Sequence, residues 1–441
     1  MTRKVPFGRQ MRDAYFGFSP SYTPLNHGSF GTAPLPVIAH QRAFDTLATE
    51  RPDTFIVFDL PRLIDESRNA VTPLLGVPVD EVVFVPNATT GINTVLRNLK
   101  FDEGDVIVHF STIYDACEKT VASVGELEPL TRRCIEIEYP IEDEEIVRRF
   151  REMVKTVRDE GKNVKIAMFD TVLTFPGARM PWEELTMACK ELGVLSLIDG
   201  AHGIGHIDLT HLGKVGPDFF VSNCHKWLFT PRGCAIFHVP LRNQHLIHTS
   251  IPTSHGYSYT SSPPPPSVDG KSHFVLLFEF VATIDYTPYL VVPAAIAFRN
   301  EVCGGEAAIW SYCYSLARGG GDIVASILGT ERMDNKTHTL TQCSFANIRL
   351  PIPFTSPTTT SSSSTNPTPI IFTPKKATAI AVWLNRTAVD EHDTYLQIAF
   401  HGNVLWVRLS AQVYIGKEDF EWIGHVLVGL CARVRGGEVV F

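Results

Sequence analysis

Short runs of apolar residues alternate, along the first half of the chain, with longer stretches in which apolar positions recur every three or four residues. Continuous runs are typical of strands buried on both faces of a parallel sheet, and the longer stretches are typical of amphipathic helices. This rhythm predicts an α/β fold, with a mostly parallel central sheet and helices on both faces. The runs are residues 82–85, 106–110, 164–169, 194–198 and 218–221, and the helical stretches are residues 37–75, 92–99, 141–160 and 182–192.

The same patterns divide the chain into three parts. Residues 1–35 form an N-terminal arm that ends in a glycine-rich turn, and residues 36–290 contain the strand and helix repeats of a large domain. Residues 291–441 form a smaller C-terminal α+β domain. Within that domain, residues 351–376 contain four consecutive serines among prolines and threonines, and this composition predicts a disordered insertion.

Two of the predicted strands end at residues with reactive side chains. Asp199 follows the run 194–198, and Lys226 lies in the turn after the run 218–221, directly before the apolar Trp227. Ligands of parallel α/β sheets collect at the carboxyl ends of the strands, where these two side chains are expected. A partly desolvated amine and a nearby carboxylate are the groups that a pyridoxal phosphate enzyme needs most. The amine forms a Schiff base with the aldehyde, and the carboxylate keeps the pyridine nitrogen protonated. For Lys226 the alternative is a surface lysine.

A helix that begins near residues 87–91 offers a seat for the phosphate of such a cofactor. Its first turn contains Ala88, Thr89 and Thr90. Their N–H groups lie at the positive end of the helix dipole, without partners inside the helix, and the threonine hydroxyls add donors. The alternative is an ordinary N-cap supplied by Thr89 or Thr90.

Several stretches resemble class V aminotransferase-fold enzymes, the group of cysteine desulfurases and isopenicillin N epimerase-like proteins. The Asp-Gly-Ala-His sequence that begins at Asp199 and the Asn-Cys-His-Lys-Trp-Leu sequence that begins at Asn223 carry this resemblance. It implies the pyridoxal phosphate-dependent transferase fold type I, with pyridoxal 5′-phosphate as the cofactor. Further stretches are similar to the hercynylcysteine sulfoxide lyases of ergothioneine biosynthesis, namely residues 25–31, 87–97, 113–117, 225–234 and 408–414.

The resemblance also implies roles for residues that contact the substrate. Tyr114 would stack on the pyridine ring and pass a proton, although a core tyrosine is the alternative. Arg408 would grip the substrate carboxylate with its planar guanidinium, and a surface arginine at a sheet edge is the alternative. Asn26 and His27 would edge the substrate pocket, unless they only form a turn before the next helix. Cys134 would contribute a thiol near the site.

The remaining candidates implied by the resemblance hold the cofactor. His202 would place the ring rather than transfer a proton. Ser222 and His225 would hold the phosphate, with turn capping as the alternative for Ser222. Thr283 would reach the phosphate of the partner subunit, which makes a homodimer with shared active sites part of the hypothesis.

Composition narrows the kind of protein. The 441 residues are 44% apolar and 20% charged, with a net charge of −8, as in an ordinary globular protein of two or three domains. Lysines and arginines are not clustered, which argues against a nucleic-acid partner. The nine cysteines are scattered without a CxxC pair, which argues against disulfides and a metal site and favours a cytoplasmic location. We expect no membrane span. The four consecutive prolines at 263–266 predict a stiff, extended loop.

Three outcomes remain open for a small amino-acid substrate. In the favoured one, Lys226 removes the Cα proton and a sulfur group leaves Cβ by β-elimination, with pyruvate and ammonia as products and Tyr114 as the proton donor. The resemblance implies hercynylcysteine sulfoxide as the substrate. The second outcome is other chemistry of the class, namely epimerisation, transamination or cysteine desulfhydration, and the third is a binder without turnover. Because no cysteine lies between Cys343 and Cys431, we expect no catalytic-cysteine loop and no persulfide.

Overall fold

The chain folds into two sheets surrounded by helices, and the computed structural model describes residues 5–253, 256–259, 270–355 and 371–439. The strands are β1 (Val82–Val85), β2 (Asp105–Phe110), β3 (Leu130–Ile135), β4 (Asn163–Asp170), β5 (Leu195–Asp199), β6 (Phe219–Asn223), β7 (Ala235–His238), β8 (Phe345–Arg349), β9 (Gln397–His401) and β10 (Val404–Ser410). The helices are α1 (Arg9–Tyr15), α2 (His27–Phe30), α3 (Leu35–Glu50), α4 (Pro52–Thr54), α5 (Leu60–Val71), α6 (Ala88–Asn98), α7 (Asp115–Gly125), α8 (Asp143–Asp159), α9 (Trp182–Leu192), α10 (Leu212–Val215), α11 (Cys224–Trp227), α12 (His273–Glu279), α13 (Thr287–Leu290), α14 (Val292–Glu301), α15 (Glu306–Leu328), α16 (Ala377–His392) and α17 (Lys417–Arg435). A π-helical turn, Phe55–Asp59, joins α4 to α5, and short 3-10 turns cover Thr72–Leu74, Val79–Glu81, Leu241–Leu246 and Pro374–Lys376.

The large sheet has seven strands in the order β1-β7-β6-β5-β4-β2-β3. Neighbouring strands run parallel from β6 across to β3, and β7 runs antiparallel to both of its neighbours. Helices α6, α7 and α12 cover one face of the sheet, and α5, α8 and α9 cover the other. β1, β2, β6 and β7 are buried along their whole length, as expected for strands between two helical layers. The predicted fold class is confirmed.

Two strands of the large sheet have no counterpart among the predicted runs. β3 carries threonine and two arginines because it is an edge strand with solvent-facing positions, and β7 has only four residues. The stretch 37–75, predicted as one helical region, is divided into α3, α4, the π-helical turn and α5. The division falls at Pro52, which lacks the N–H that would continue the hydrogen bonds of α3.

The small domain is built on the antiparallel sheet β8-β10-β9, which packs against helices α14 to α17. The N-terminal segment packs with it, since Met11, Phe16 and Leu25 are buried in the same core. The N–H of Gly8 also donates to the carbonyl of Val413 at 2.8 Å. The segment expected to be an arm is therefore, from residue 5 onward, part of the small-domain packing.

The insertion predicted at residues 351–376 lies only partly within the described chain. On its flanks, Phe354 forms an isolated bridge with Phe372, which is buried in the small-domain core. Residues 356–370 and the prolines at 263–266 lie outside the described residues. Across the described ranges, no helix is long and apolar enough to cross a membrane. The same ranges contain no group of three or more His, Cys, Asp or Glu side chains suited to a metal ion.

A buried arginine in α14 ties the small domain to the turns that follow β5 and β6. Arg299 Nη1 donates to the Trp227 carbonyl at 2.7 Å, and Nη2 donates to the Gly205 carbonyl at 2.9 Å. Nη2 also donates to Glu306 Oε2 at 2.6 Å. Because the guanidinium is 1% exposed, the carboxylate of Glu306 offsets much of its desolvation.

We expect Glu306→Gln to lower the free energy of unfolding by about 3 kcal/mol, because it leaves the buried charge of Arg299 without a carboxylate. The matched control is Glu331→Gln, whose carboxylate pairs with Arg349 at 3.2 Å on the surface. The control should change the unfolding free energy by at most about 1 kcal/mol. Urea unfolding measures both variants, and equal effects would contradict the role assigned to the buried pair.

Candidate active site

Lys226 lies on α11, the helical turn directly after β6, at the carboxyl edge of the large sheet. Its Nζ lies 3.3 Å from His202 Nε2. Burial lowers the pKa of Lys226 to about 8, even though the nearby Asp199 favours the charged form. The amine is therefore partly uncharged near neutral pH, and an uncharged amine is what a general base requires.

The backbone of residue 31 lies directly against α11, which contains Lys226 and is called the lysine turn below. Gly31 has a φ of +62°, and a Cβ atom at this position would lie 1.8 Å from the carbonyl oxygen of His225 and 2.8 Å from the Cα of Lys226. Glycine is the residue that fits both the dihedral angle and the contact. The glycine-rich segment before α3 therefore helps to position Lys226.

Asp199 ends β5, with a side chain that is 4% exposed. Its Oδ1 accepts from the N–H of Ala201 at 2.9 Å, and its Oδ2 accepts from Cys117 Sγ at 3.2 Å. Its register partner in the sheet is Asp170, the last residue of β4. Burial, followed by the charge of Asp199, raises the pKa of Asp170 well above its usual range. Burial beside Asp199 therefore favours the protonated form of the Asp170 carboxyl.

His202 connects the turn after β5 to the lysine turn. Its Nδ1 accepts from Trp227 Nε1 at 3.1 Å, and its Nε2 lies 3.3 Å from Lys226 Nζ and 3.4 Å from Thr174 Oγ1. Burial, followed by the charge of Lys226, lowers the pKa of His202 well below its usual range. The ring is therefore neutral, and its hydrogen bonds suit a placing role better than proton transfer.

Arg408, in β10, is fully buried near the same group of residues. Its guanidinium donates to the carbonyl of Thr174, to Asn26 Oδ1 at 3.1 Å and to Ser29 Oγ at 3.0 Å. It also lies over the ring of Phe345, at 4.4 Å from the ring centroid. Burial lowers the pKa of Arg408 to about 9. In the described part of the chain no carboxylate pairs with this guanidinium, so an anionic ligand would stabilise it.

Asn26 and His27 lie where the sequence places them, beside Arg408 and the lysine turn. His27 Nδ1 shares a hydrogen bond of 2.6 Å with the hydroxyl of Tyr414, and its ring meets Trp227 edge-on at a centroid distance of 4.9 Å. Burial lowers the pKa of His27 to about 3, so this ring is also neutral. A hydrogen bond with the backbone of Lys226 acts on the pKa of His27 in the opposite direction but does not offset burial.

The first turn of α6 is capped by Asn87 rather than by Thr89 or Thr90. Asn87 Oδ1 accepts from the N–H of Thr90 at 2.9 Å and from its hydroxyl at 3.1 Å. The end of β6 reaches the same turn, because Asn223 Oδ1 accepts from the N–H of Ala88 at 2.8 Å. The N-terminus of α6 therefore lies beside the lysine turn, where the positive end of the helix dipole favours a phosphate, although the N–H groups of Ala88 and Thr90 are already bonded within the protein.

The hydroxyl of Ser222 is occupied within the protein. It donates to the carbonyl of Gly200 and accepts from the N–H of Ile204 at 2.8 Å. Because a hydroxyl has one proton to donate, these bonds favour turn capping, the alternative given for Ser222, over phosphate binding. His225 Nδ1 hydrogen-bonds to the carbonyl of Cys234 at 2.9 Å, which leaves its other ring nitrogen for a ligand.

Three predicted residues lie at the rim of the site or outside it. Tyr114 is 44% exposed and directly precedes α7, in which Cys117 reaches Asp199. Thr283 is exposed. Cys134 is on edge strand β3, three strands from β5, which is roughly 14 Å at the usual strand spacing. The expectation that Cys134 contributes near the site is corrected, because the thiol that reaches Asp199 is that of Cys117.

Sequence reasoning missed four residues that shape this site, namely Cys117, Asp170, Asn223 and the indole N–H of Trp227. Asp170 and Asn223 are the last residues of β4 and β6. The last position of a predicted parallel strand is the signal that could have found them. The contact between Cys117 and Asp199 has no such signal, since it depends on how α7 packs on the sheet.

Comparisons with known proteins agree with this geometry. The profile of the family described as Aminotransferase class-V matches residues 56–253. The L-cysteine desulfhydrase-like protein lolT1 of Epichloe uncinata is 36% identical, over 99% of this chain and 99% of its own length. The hercynylcysteine sulfoxide lyase of Schizosaccharomyces pombe is 28% identical, over 98% of this chain and 100% of its own length. A solved structure of a C-DES mutant with glycine covalently linked to the PLP cofactor has a TM-score of 0.74 at 16% identity, and covers 95% of this chain and 98% of that chain.

The sheet order and a lysine and an aspartate at its carboxyl edge define an enzyme of the pyridoxal phosphate-dependent transferase fold type I. With relatives this similar over nearly its full length, the chain belongs to the class-V aminotransferase family.

The residues present also fit pyridoxal phosphate chemically. Lys226 is an amine of lowered pKa, and Asp199 is a buried carboxylate that could hold a protonated ring nitrogen. The N-terminus of α6 suits a phosphate, and the free nitrogen of His225 lies on the same turn as the lysine. The unpartnered Arg408 Nε is a donor in need of an anion.

Gly31→Ala is expected to abolish cofactor binding while leaving the protein folded, because the new Cβ displaces the backbone that carries Lys226. Gly104→Ala is the matched control, since Gly104 also has a positive φ, of +91°, but a Cβ there meets nothing within 4 Å. The control pays only the backbone strain of roughly 1 kcal/mol. Circular dichroism checks the fold, and absorbance of the bound cofactor checks the site. Full cofactor binding by Gly31→Ala would show that this contact is not required.

Proposed function

We propose that this protein is a pyridoxal phosphate-dependent carbon–sulfur lyase, which cleaves a cysteine conjugate by β-elimination and releases pyruvate and ammonia. The relatives support this class of reaction. Besides lolT1, an L-cysteine desulfhydrase of Arabidopsis thaliana is 30% identical over 69% of this chain and 66% of its own length. These relatives act, by their names, on carbon–sulfur bonds of cysteine.

The observation that carries the proposal is the unpaired Arg408. Among the described residues this fully buried guanidinium contacts only uncharged oxygens, which is costly, and the α-carboxylate of an amino acid offers the planar, two-pronged partner that it lacks. Thr174 contacts both Arg408 and His202, so a carboxylate held by Arg408 brings the Cα of the same molecule toward Lys226.

Each residue then has a defined task. Arg408 and Asn26 orient the substrate, and Lys226 takes the proton from Cα in its uncharged form. When bound, pyridoxal phosphate supplies an electron sink for the charge left on Cα, provided that its ring nitrogen stays protonated. Asp199, as a carboxylate beside the ring nitrogen, keeps that nitrogen protonated. Tyr114, which directly precedes α7, donates a proton to the departing sulfur.

For the identity of the sulfur substituent, we propose hercynylcysteine sulfoxide, supported by the lyase of Schizosaccharomyces pombe, which aligns over its full length. Cysteine itself is the competing substrate, since the desulfhydrase-like relatives share higher identity with this chain. Chemistry at Cα without a leaving group is a second candidate function. It is favoured by the isopenicillin N epimerase of Streptomyces clavuligerus, 27% identical over 65% of this chain and 71% of its own length.

We propose further that the protein works as a homodimer in a reducing, cytoplasmic environment. The exposed Thr283 is then free to reach the phosphate in the partner subunit. All nine cysteines are free thiols and eight of them are buried, which suits a compartment where disulfides do not form.

Incubation of the holoenzyme with hercynylcysteine sulfoxide, cysteine and cystathionine, followed by pyruvate measurement, tests the reaction and its substrate. We expect the sulfoxide to give the highest kcat/KM. Arg408→Gln should lower it on the order of 100-fold, because removing one partner of a buried charge pair costs about 2–5 kcal/mol. The control Arg349→Gln alters a surface arginine at the end of β8 and should have little effect. Absence of pyruvate from all three substrates, with exchange of the Cα proton, would favour the epimerase instead.

Thiol chemistry is expected to be dispensable. Partial desolvation, followed by the charge of Glu136, raises the pKa of the exposed Cys134 thiol to about 11, so it is protonated at neutral pH and weakly nucleophilic. Cys134→Ser should therefore keep pyruvate formation within about twofold of the unmodified enzyme, and Lys226→Ala, as the positive control, should lose it. Mass spectrometry of the enzyme during turnover provides a second check, because a persulfide on any cysteine would contradict this expectation.

A further inference from the structure

The tautomer of His202 can be deduced from one hydrogen bond. Trp227 Nε1 lies 3.1 Å from His202 Nδ1. An indole nitrogen has a proton to donate and no lone pair to accept with, so His202 Nδ1 must be the acceptor and must lack a proton. His202 is 1% exposed, and Lys226 and Arg408 lie near it, so the ring is neutral. Its single proton therefore lies on Nε2.

That proton faces the lysine. His202 Nε2 lies 3.3 Å from Lys226 Nζ and 3.4 Å from Thr174 Oγ1. A charged ammonium has three protons and no lone pair, so it cannot accept this hydrogen bond, whereas an uncharged amine can. The Nε2–H tautomer thus stabilises the uncharged lysine, and the opposite tautomer would stabilise the ammonium.

We propose that Trp227 is a positioning residue that, through its indole N–H, fixes His202 in the Nε2–H tautomer and thereby favours the free-base form of Lys226. The inference deepens the proposed function, on which its catalytic meaning rests. The indole of Trp227 acts on Lys226, its neighbour in sequence, through His202, which lies in the turn after β5.

Trp227 is held firmly enough for this task. Its ring stacks on His206 at a centroid distance of 3.8 Å and an angle of 11°, and its carbonyl accepts from Arg299. His206 cannot replace the indole as a donor, because its Nδ1 faces the carbonyl of His202 at 2.9 Å and its Nε2 accepts from the N–H of Ser344 at 2.8 Å. A phenylalanine at position 227 would keep an aromatic ring there and remove only the donor.

Other charged and titratable groups also face Lys226. Asp199 favours its charged form and Arg408 disfavours it, and Asp170 and the Cys117 thiol lie nearby. None of these side chains hydrogen-bonds to the indole of Trp227 in the described structure, so a Trp227→Phe substitution separates the effect of the indole from theirs.

The test uses the cofactor-free protein, so that its outcome does not depend on the proposed reaction. Protein with nitrogen-15 histidine reports the tautomer of His202 by NMR, with the resonance assigned from its loss in His202→Gln. The pH dependence of acylation at Lys226, followed by mass spectrometry, reports the lysine pKa, since this side chain keeps partial exposure. Trp182→Phe is the matched control, because Trp182 is buried and its indole nitrogen has no partner among the described residues.

In the unmodified protein we expect a single Nε2–H tautomer and a Lys226 pKa near 8. Trp227→Phe should populate the Nδ1–H tautomer and raise the lysine pKa by about 0.5 to 1, which slows acylation at pH 7 about three- to tenfold. Trp182→Phe should change neither. In a His202→Ala background, Trp227→Phe should leave the lysine unchanged.

An Nδ1–H tautomer in the unmodified protein would overturn the proposal, even if Trp227→Phe failed to fold. An unchanged lysine pKa in folded Trp227→Phe would overturn it as well. Failure of the proposed reaction is a separate outcome. In that case the holoenzyme forms no pyruvate, although the tautomer of His202 and the pKa of Lys226 are those expected.

Discussion

The burial of an amine beside a carboxylate, at the ends of two neighbouring parallel strands, is the constraint on which the rest of the structure depends. Removing such groups from water costs several kcal/mol per ion, and the surrounding protein must offset that cost. Asp199 is held by the N–H of Ala201 and the thiol of Cys117. The backbone of the lysine turn packs against Gly31. Arg299, from the small domain, donates a hydrogen bond to the carbonyl of Trp227 in the same turn.

The charges buried around this pair determine which sign of ligand charge the site stabilises. Burial and the charge of Asp199 raise the pKa of Asp170, which disfavours a second negative charge next to Asp199. Arg408 brings a positive charge that no carboxylate of the described residues pairs with, and the N-terminus of α6 brings the positive end of a helix dipole. The site therefore has positive charge that the protein does not balance. A phosphate and an α-carboxylate are the groups that would balance it.

Much of this arrangement could be predicted from the sequence, because it follows from local patterns. Apolar runs predicted the strands that end at Asp199 and near Lys226, and the topology of parallel sheets brings such ends together. Edge strand β3 could not be found this way, since one face of an edge is polar, and Cys134 on it was placed too near the site. For Ser222 the sequence left phosphate binding and turn capping open, because the turn that its hydroxyl contacts lies 18 to 22 residues away. Contacts between distant segments, such as that of Cys117 with Asp199, require the packed structure.

Covalent attachment at position 226 is the property that tests this account most directly. The measurement is borohydride reduction of the protein loaded with pyridoxal 5′-phosphate, followed by peptide mass spectrometry to locate the pyridoxyl group. The account predicts the group on Lys226, with yellow colour lost on reduction. A pyridoxyl group on another lysine, or bound cofactor with no covalent link to the chain, would contradict it.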